Sequence, residues 1–154
     1  MGYDAFVKCN CYKEGKIAKN PSYEHYVREN EEGLWLDLKW ETNKEKFQEF
    51  ESWVRNNPCK HADMRLCSEH LANISGMTQF TSKIRDLGGS KYPTLSNHLP
   101  KSNDGFLAVK YAGTMLDELL AFDKETSNGF SYIVLPLQRL LHTSIQSGNP
   151  VIWT

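Results

Sequence analysis

The chain predicts an α+β fold in which a small, mostly antiparallel sheet packs against four to five helices. Apolar residues alternate at period two over residues 34–40, and aromatic and β-branched residues cluster at both ends of the chain, which are strand signals. Between them, apolar residues recur every three or four positions, the period of an amphipathic helix. Neither a repeat nor a change of composition divides the chain, so one domain is expected over residues 1–154.

Taken in order, residues 3–9 read as the first strand. Its expected partner is residues 34–40, where Leu34, Leu36, Leu38 and Trp40 alternate with Trp35, Asp37 and Lys39. Residues 10–33 make a connection too long for an ordinary structureless loop, so they are expected to be functional or to hold a short helix near residues 23–28. Thr42 followed by Glu45 has the form of a capping box, Phe47, Phe50 and Val54 then share a helix face, and Asn56-Asn57-Pro58 stops the helix. Met64, Cys67, Leu71 and Ile74 form one helical stripe, and Met77, Phe80, Ile84 and Leu87 a second, out of phase across Gly76 and ending at Gly88-Gly89. A single helical turn is expected at residues 94–99. The longest helix is expected at residues 104–123, marked by Phe106, Val109, Gly113, Leu116 and Leu120. Residues 132–135 read as a buried strand, and Pro136 as the start of a helix through Leu137, Leu140, Leu141 and Ile145 that closes at Gly148. Asn149-Pro150 then turns the chain into a last strand at residues 151–153.

Composition narrows the function classes. The 154 residues carry 18 Lys+Arg against 19 Asp+Glu, a formal net charge of −1, spread evenly along the chain. No global field draws in nucleic acid or an anionic membrane, and no apolar run approaches the length of a membrane span. The N-terminal segment has no basic region followed by an apolar stretch, so it does not read as a secretory signal, and a reducing cytoplasm is expected.

Four cysteines are the compositional feature that can carry chemistry. Cys9-x-Cys11 and Cys59-x-His61 supply two pairs of N/S donors, the composition of a structural zinc site. The spacing of one intervening residue is tight. On an extended strand it places two side chains on the same face about 7 Å apart at Cα, so both sulfurs reach one ion only where the chain bends. Cys67 and His70, three apart on the expected helix, are reserve ligands. The competing reading is that the thiols are free and packed as small hydrophobes, the simplest account of Cys67 in its apolar stripe. A thiol- or metal-dependent enzyme built on Cys9, Cys11, Cys59 and His61 is the alternative function.

Other candidate chemistry falls away. Gly88-Gly89-Ser90-Lys91 lacks the preceding glycine and the incoming strand of a phosphate loop. Asp117 and Glu118 are adjacent on a helix and point about 100° apart, so they form no catalytic pair and are expected to be solvated. No catalytic residue is assigned. Tyr23, Tyr26 and Trp35 are candidate partner-binding residues, because tyrosine and tryptophan give large contact area with few rotors; Trp35 packed beneath the 10–33 connection is the competing account.

The pieces Met1 to Ala5, Cys9-Asn10-Cys11, Cys59 to His61 and Ser144 to Trp153 resemble a group of small bacterial proteins. These open Met-Gly-x-Asp-Ala, continue with Cys-Asn-Cys, carry a mid-chain Cys-x-His and end Ser-Ile-x-x-Gly-Asn-Pro before an apolar residue and Trp. They are similar to the immunity partners of bacterial toxins. The resemblance implies a cytoplasmic, non-enzymatic inhibitor that recognises one protein partner, a toxin; zinc, expected from the cysteine and histidine donors, is the one expected cofactor. The near-neutral charge departs from the acidic surface that neutralising a basic nuclease requires.

Overall fold

The computed structural model describes residues 2–18, 23–56 and 58–154. Asn57 of the expected helix stop and residues 19–22 of the 10–33 connection lie outside the described residues. In chain order the elements are β1 (Gly2–Lys8), β2 (Val27–Asn30), β3 (Gly33–Leu36), α1 (Lys44–Arg55), β4 (Arg65–Asn73), α2 (Ile74–Asp86), α3 (Pro93–His98), β5 (Phe106–Leu107), α4 (Val109–Glu125), α5 (Ser131–Ser147) and β6 (Val151–Trp153). Single 3₁₀ turns occur at Glu24–Tyr26, Trp40–Thr42 and Ala62–Met64. Among the described residues the class is α+β, with five helices, a four-stranded antiparallel sheet and a separate two-stranded sheet. Contacts divide the chain into two compact units, Met1–Val7 with Cys67–Thr154, and Lys8–Leu66. Among the described residues no helix is long and apolar enough to cross a membrane.

In the first unit the sheet runs in the order β4-β1-β6-β5, so the two ends of the chain supply its centre. Ala5 lies opposite Trp153 and Phe6 opposite Ile152; on the far side of β6, Phe106 lies opposite Ile152 and Leu107 opposite Val151. Ala5, Val7, Leu71, Leu107, Val151 and Trp153 join a core filled from α2, α4 and α5. Phe122 is fully buried at its centre, edge-on to Phe80 at 5.1 Å and to Tyr92 at 5.8 Å between ring centroids. Helix α5 ends as expected, at Gly148 with φ of 73°, a left-handed conformation that glycine adopts without a Cβ clash.

Several expectations are corrected. The helix expected over Met64, Cys67, Leu71 and Ile74 is strand β4. Cys67 and Leu71 are four apart, which puts them on one side of a helix and equally on one side of a strand. Hydrogen bonding to β1 decides the matter, and the burial of β4 alternates residue by residue over its first six positions. Helix starts only at α2, where Asn73 Oδ1 accepts the Gly76 amide at 2.7 Å.

The strand expected at residues 132–135 is the first turn of α5. A run of four apolar residues suits a strand or a buried helix alike. The inward set Ile133, Leu137, Leu140, Leu141 and Ser144 keeps the helical period across Pro136, which therefore sits inside the helix and does not open it. The long helix begins at Val109 rather than residue 104, because Phe106 and Leu107 pair with β6. The expected capping box does not form: Asn43 precedes α1 without a side-chain cap, while the Thr42 hydroxyl donates to the Lys39 carbonyl.

Glu118 is also not merely solvated. Its carboxylate accepts the backbone amides of Thr94 at 3.0 Å and Leu95 at 2.8 Å, closing the N-terminus of α3 from the neighbouring helix. Glu118→Gln keeps the shape but loses the charge and one acceptor. It is expected to lower stability by about 1–2 kcal/mol, read as a fall in the denaturant midpoint at unchanged slope. An unchanged midpoint would contradict this role.

In the second unit, β2 and β3 form a hairpin of their own, pairing Val27 with Leu36 and Asn30 with Gly33. The strand expected at residues 34–40 is thus shorter and does not pair with β1. Asn30 supplies the reason: its Oδ1 accepts the amides of Glu32 at 2.9 Å and Gly33 at 3.0 Å, folding the chain back over two residues. A turn this short costs far less closure entropy than a distant partner. The polar Arg28, Glu29 and Asn30 hide β2 in the sequence. Tyr23, Val27 and Leu36 form a small core with Phe47 and Phe50 of α1 packed against it, as the α1 stripe predicts.

Candidate metal centre

Cys9, Cys11, Cys59 and His61 converge inside the Lys8–Leu66 unit, with four donor atoms all within 4.8 Å of one another. Cys9 Sγ lies 3.8 Å from Cys59 Sγ, and His61 Nδ1 lies 3.3 Å from Cys11 Sγ and 3.8 Å from Cys59 Sγ. A tetrahedral zinc ion with bonds of about 2.3 Å to sulfur and about 2.0–2.1 Å to nitrogen needs edges of about 3.8 Å between sulfurs and about 3.6 Å from sulfur to nitrogen. The three separations agree within a few tenths of an ångström. A disulfide needs sulfurs about 2.05 Å apart, and all four cysteines are free.

Backbone turns solve the tight spacing. Strand β1 ends at Lys8, so Cys9 and Cys11 do not sit on extended chain. Beyond Cys9 the Glu14 amide donates to the Asn10 carbonyl at 2.9 Å and the Lys16 amide to the Cys11 carbonyl at 2.8 Å, with Gly15 at φ of 68°. This curls the segment and brings both thiols to one side. On the second arm, Asp63 and Met64 take φ of 53° and 56°, a left-handed pair that costs non-glycine residues roughly 1–2 kcal/mol each. The pair reverses the chain, so that the Met64 amide donates to the His61 carbonyl at 3.1 Å and the Met64 carbonyl accepts the Cys9 amide at 2.8 Å. That last bond ties one ligand arm to the other.

Cys9 and Cys11 are buried with Met64, and Ile17, Leu34, Val54 and half-buried Cys59 pack around them. Burial pushes the Cys9 thiol up to about 12, against the Cys11 backbone amide, which favours its thiolate; burial also pushes the Cys11 thiol up. Without a cation these two are neutral at pH 7. A divalent ion among the donors favours the thiolates and releases their protons. Three thiolates around a zinc ion leave one net negative charge, and Lys16 and Lys60 line the shallow surface hollow that Cys59 borders.

The reserve ligands belong to the other unit and have partners there. Cys67 Sγ faces Glu69 Oε1 at 3.8 Å and packs against the core of the other unit, with burial pushing its thiol up. His70 Nδ1 pairs with Asp4 Oδ1 at 2.6 Å. The candidate partner-binding aromatics differ among themselves. Tyr23 is 5% exposed and part of the hairpin core, Tyr26 is half-buried with Lys46 Nζ 5.8 Å from its ring centroid, and Trp35 is 43% exposed. Trp40, assigned from the sequence to the leucine side of a strand, is 48% exposed and edge-on to Phe47 at 5.2 Å. Nothing in the sequence marks its exposure or the left-handed pair at Asp63 and Met64. No protein-family model matches the chain, and neither a curated protein nor a solved structure does.

Proposed function

We propose that this chain is a zinc-ordered protein-binding module of the cytoplasm, of the immunity type, that neutralises one bacterial toxin. The observation that carries the reading is the convergence of Cys9, Cys11, Cys59 and His61 within 4.8 Å, with three separations that match the edges of a tetrahedral zinc site. Four protein donors complete a structural site, whereas a catalytic zinc keeps one position for water or substrate, so the donor count favours binding over catalysis. The Lys8–Leu66 unit also has reason to need a staple. It is about sixty residues long, and each of its two apolar clusters, among the described residues, has only three buried side chains.

Trp35 and Trp40 are the contact residues of this reading, since both are large and exposed on the unit that the metal orders. Four unbridged thiols suit a reducing cytoplasm. With a net charge of −1, the partner is not a strongly basic nuclease. Co-expression with the product of the gene adjacent to its own is expected to show toxicity in the absence of this chain and restored growth in its presence, and Trp35→Ala with Trp40→Ala to abolish rescue while the melting temperature stays within a few degrees. Full rescue by the double variant would contradict the assignment of these residues, and toxicity undiminished by the unmodified chain would contradict the immunity reading.

A further inference from the structure

The Met1–Val7 and Cys67–Thr154 unit holds a cavity of about 400 Å³, within the range of small-molecule sites. Its walls include Met77 and Ile84 of α2, Leu95 of α3 and Leu99 just beyond, four buried side chains that make an apolar floor. The same cavity is lined by Arg85 and Lys101, both exposed and without an ion-pair partner among the described residues. No carboxylate side chain lines it. The aliphatic hydroxyls on its walls are already committed as donors: Thr78 to the Ile74 carbonyl at 2.8 Å, Thr81 to the Met77 carbonyl at 3.0 Å and Ser96 to the Gly89 carbonyl at 3.1 Å. The side chains left to donate to a ligand are therefore the two cations, together with the Tyr3 hydroxyl.

From an apolar floor beneath two unpaired cations we infer that this cavity binds a small amphipathic organic anion, an aliphatic carboxylate whose tail covers the leucines and whose head meets Arg85 and Lys101. A guanidinium and an ammonium select for the charge, because a neutral head cannot form charge-assisted hydrogen bonds with both. The site lies apart in sequence from the cysteine and histidine donors and is independent of the zinc reading.

The test is a methyl and amide NMR titration of the full-length protein with octanoate, with octanol as the neutral probe of equal length. Octanoate at millimolar concentration is expected to give saturable shifts at Met77, Ile84, Leu95 and Leu99, with octanol weaker by about tenfold or more. Arg85→Gln with Lys101→Gln, two exposed positions, is expected to weaken octanoate by the same factor and leave octanol unchanged. Equal binding of octanol and octanoate, or shifts that do not saturate at these four residues, would overturn the proposal.

Discussion

Cys11→Ser is expected to lose the bound metal and to unfold the Lys8–Leu66 unit, seen as collapse of amide dispersion across the β2–β3 hairpin. The magnitude separates the two readings of the thiols. If Cys11 is only a packed thiol, exchanging its sulfur for a hydroxyl in a buried setting costs about 1–3 kcal/mol. If it ligates zinc, what is lost is most of a binding free energy whose apparent value in zinc-finger peptides is about 10–16 kcal/mol, more than a small unit has to spare. Chelation of the unmodified protein should produce the same spectrum, and zinc added back should restore it. Loss is also expected on acidification, since the thiolates that hold the ion take up protons and burial has raised both Cys9 and Cys11. A Cys11→Ser protein with its hairpin resonances in place would support packing alone.

Phe122→Ala is expected to cost about 3–5 kcal/mol, the second large effect. The ring is fully buried and meets three others, Phe80, Tyr92 and Phe130, at centroid distances of 5.1, 5.8 and 5.6 Å. Truncation leaves a cavity between α2 and α4 that three rigid rings cannot collapse to fill, and it removes edge-on contacts worth about 0.5–1.5 kcal/mol each. The melting temperature should fall by at least about 10 °C. Phe122→Leu, which keeps most of the volume, should cost less than half as much. A loss below about 1 kcal/mol for the alanine variant would contradict the placement of Phe122 at the centre of this core.

Helical period makes α1 and α2 legible, because Phe47 and Phe50 recur three apart and Met77, Phe80, Ile84 and Leu87 at spacings of three, four and three, and the glycine cap makes the closing turn at Gly148 legible. Cys67 and Leu71 mislead because a separation of four suits both periods, and a neighbouring strand distant in sequence decides between them. Residues 132–135 mislead because an unbroken apolar run has no period to read. The donor set is legible from residue type alone. Its geometry is not, since it depends on two turns, one closed by Gly15 and the other by a left-handed pair at Asp63 and Met64 that non-glycine residues do not announce. Glu118 escapes for the same reason as β4: the amides it caps lie 23 and 24 positions away.

Native mass spectrometry of the folded protein, purified without chelator, tests the metal centre most directly. The donor geometry predicts one zinc ion per chain, absent from Cys11→Ser and from the acid-denatured protein. A folded chain at its metal-free mass, with the β2–β3 hairpin resonances dispersed, would contradict it.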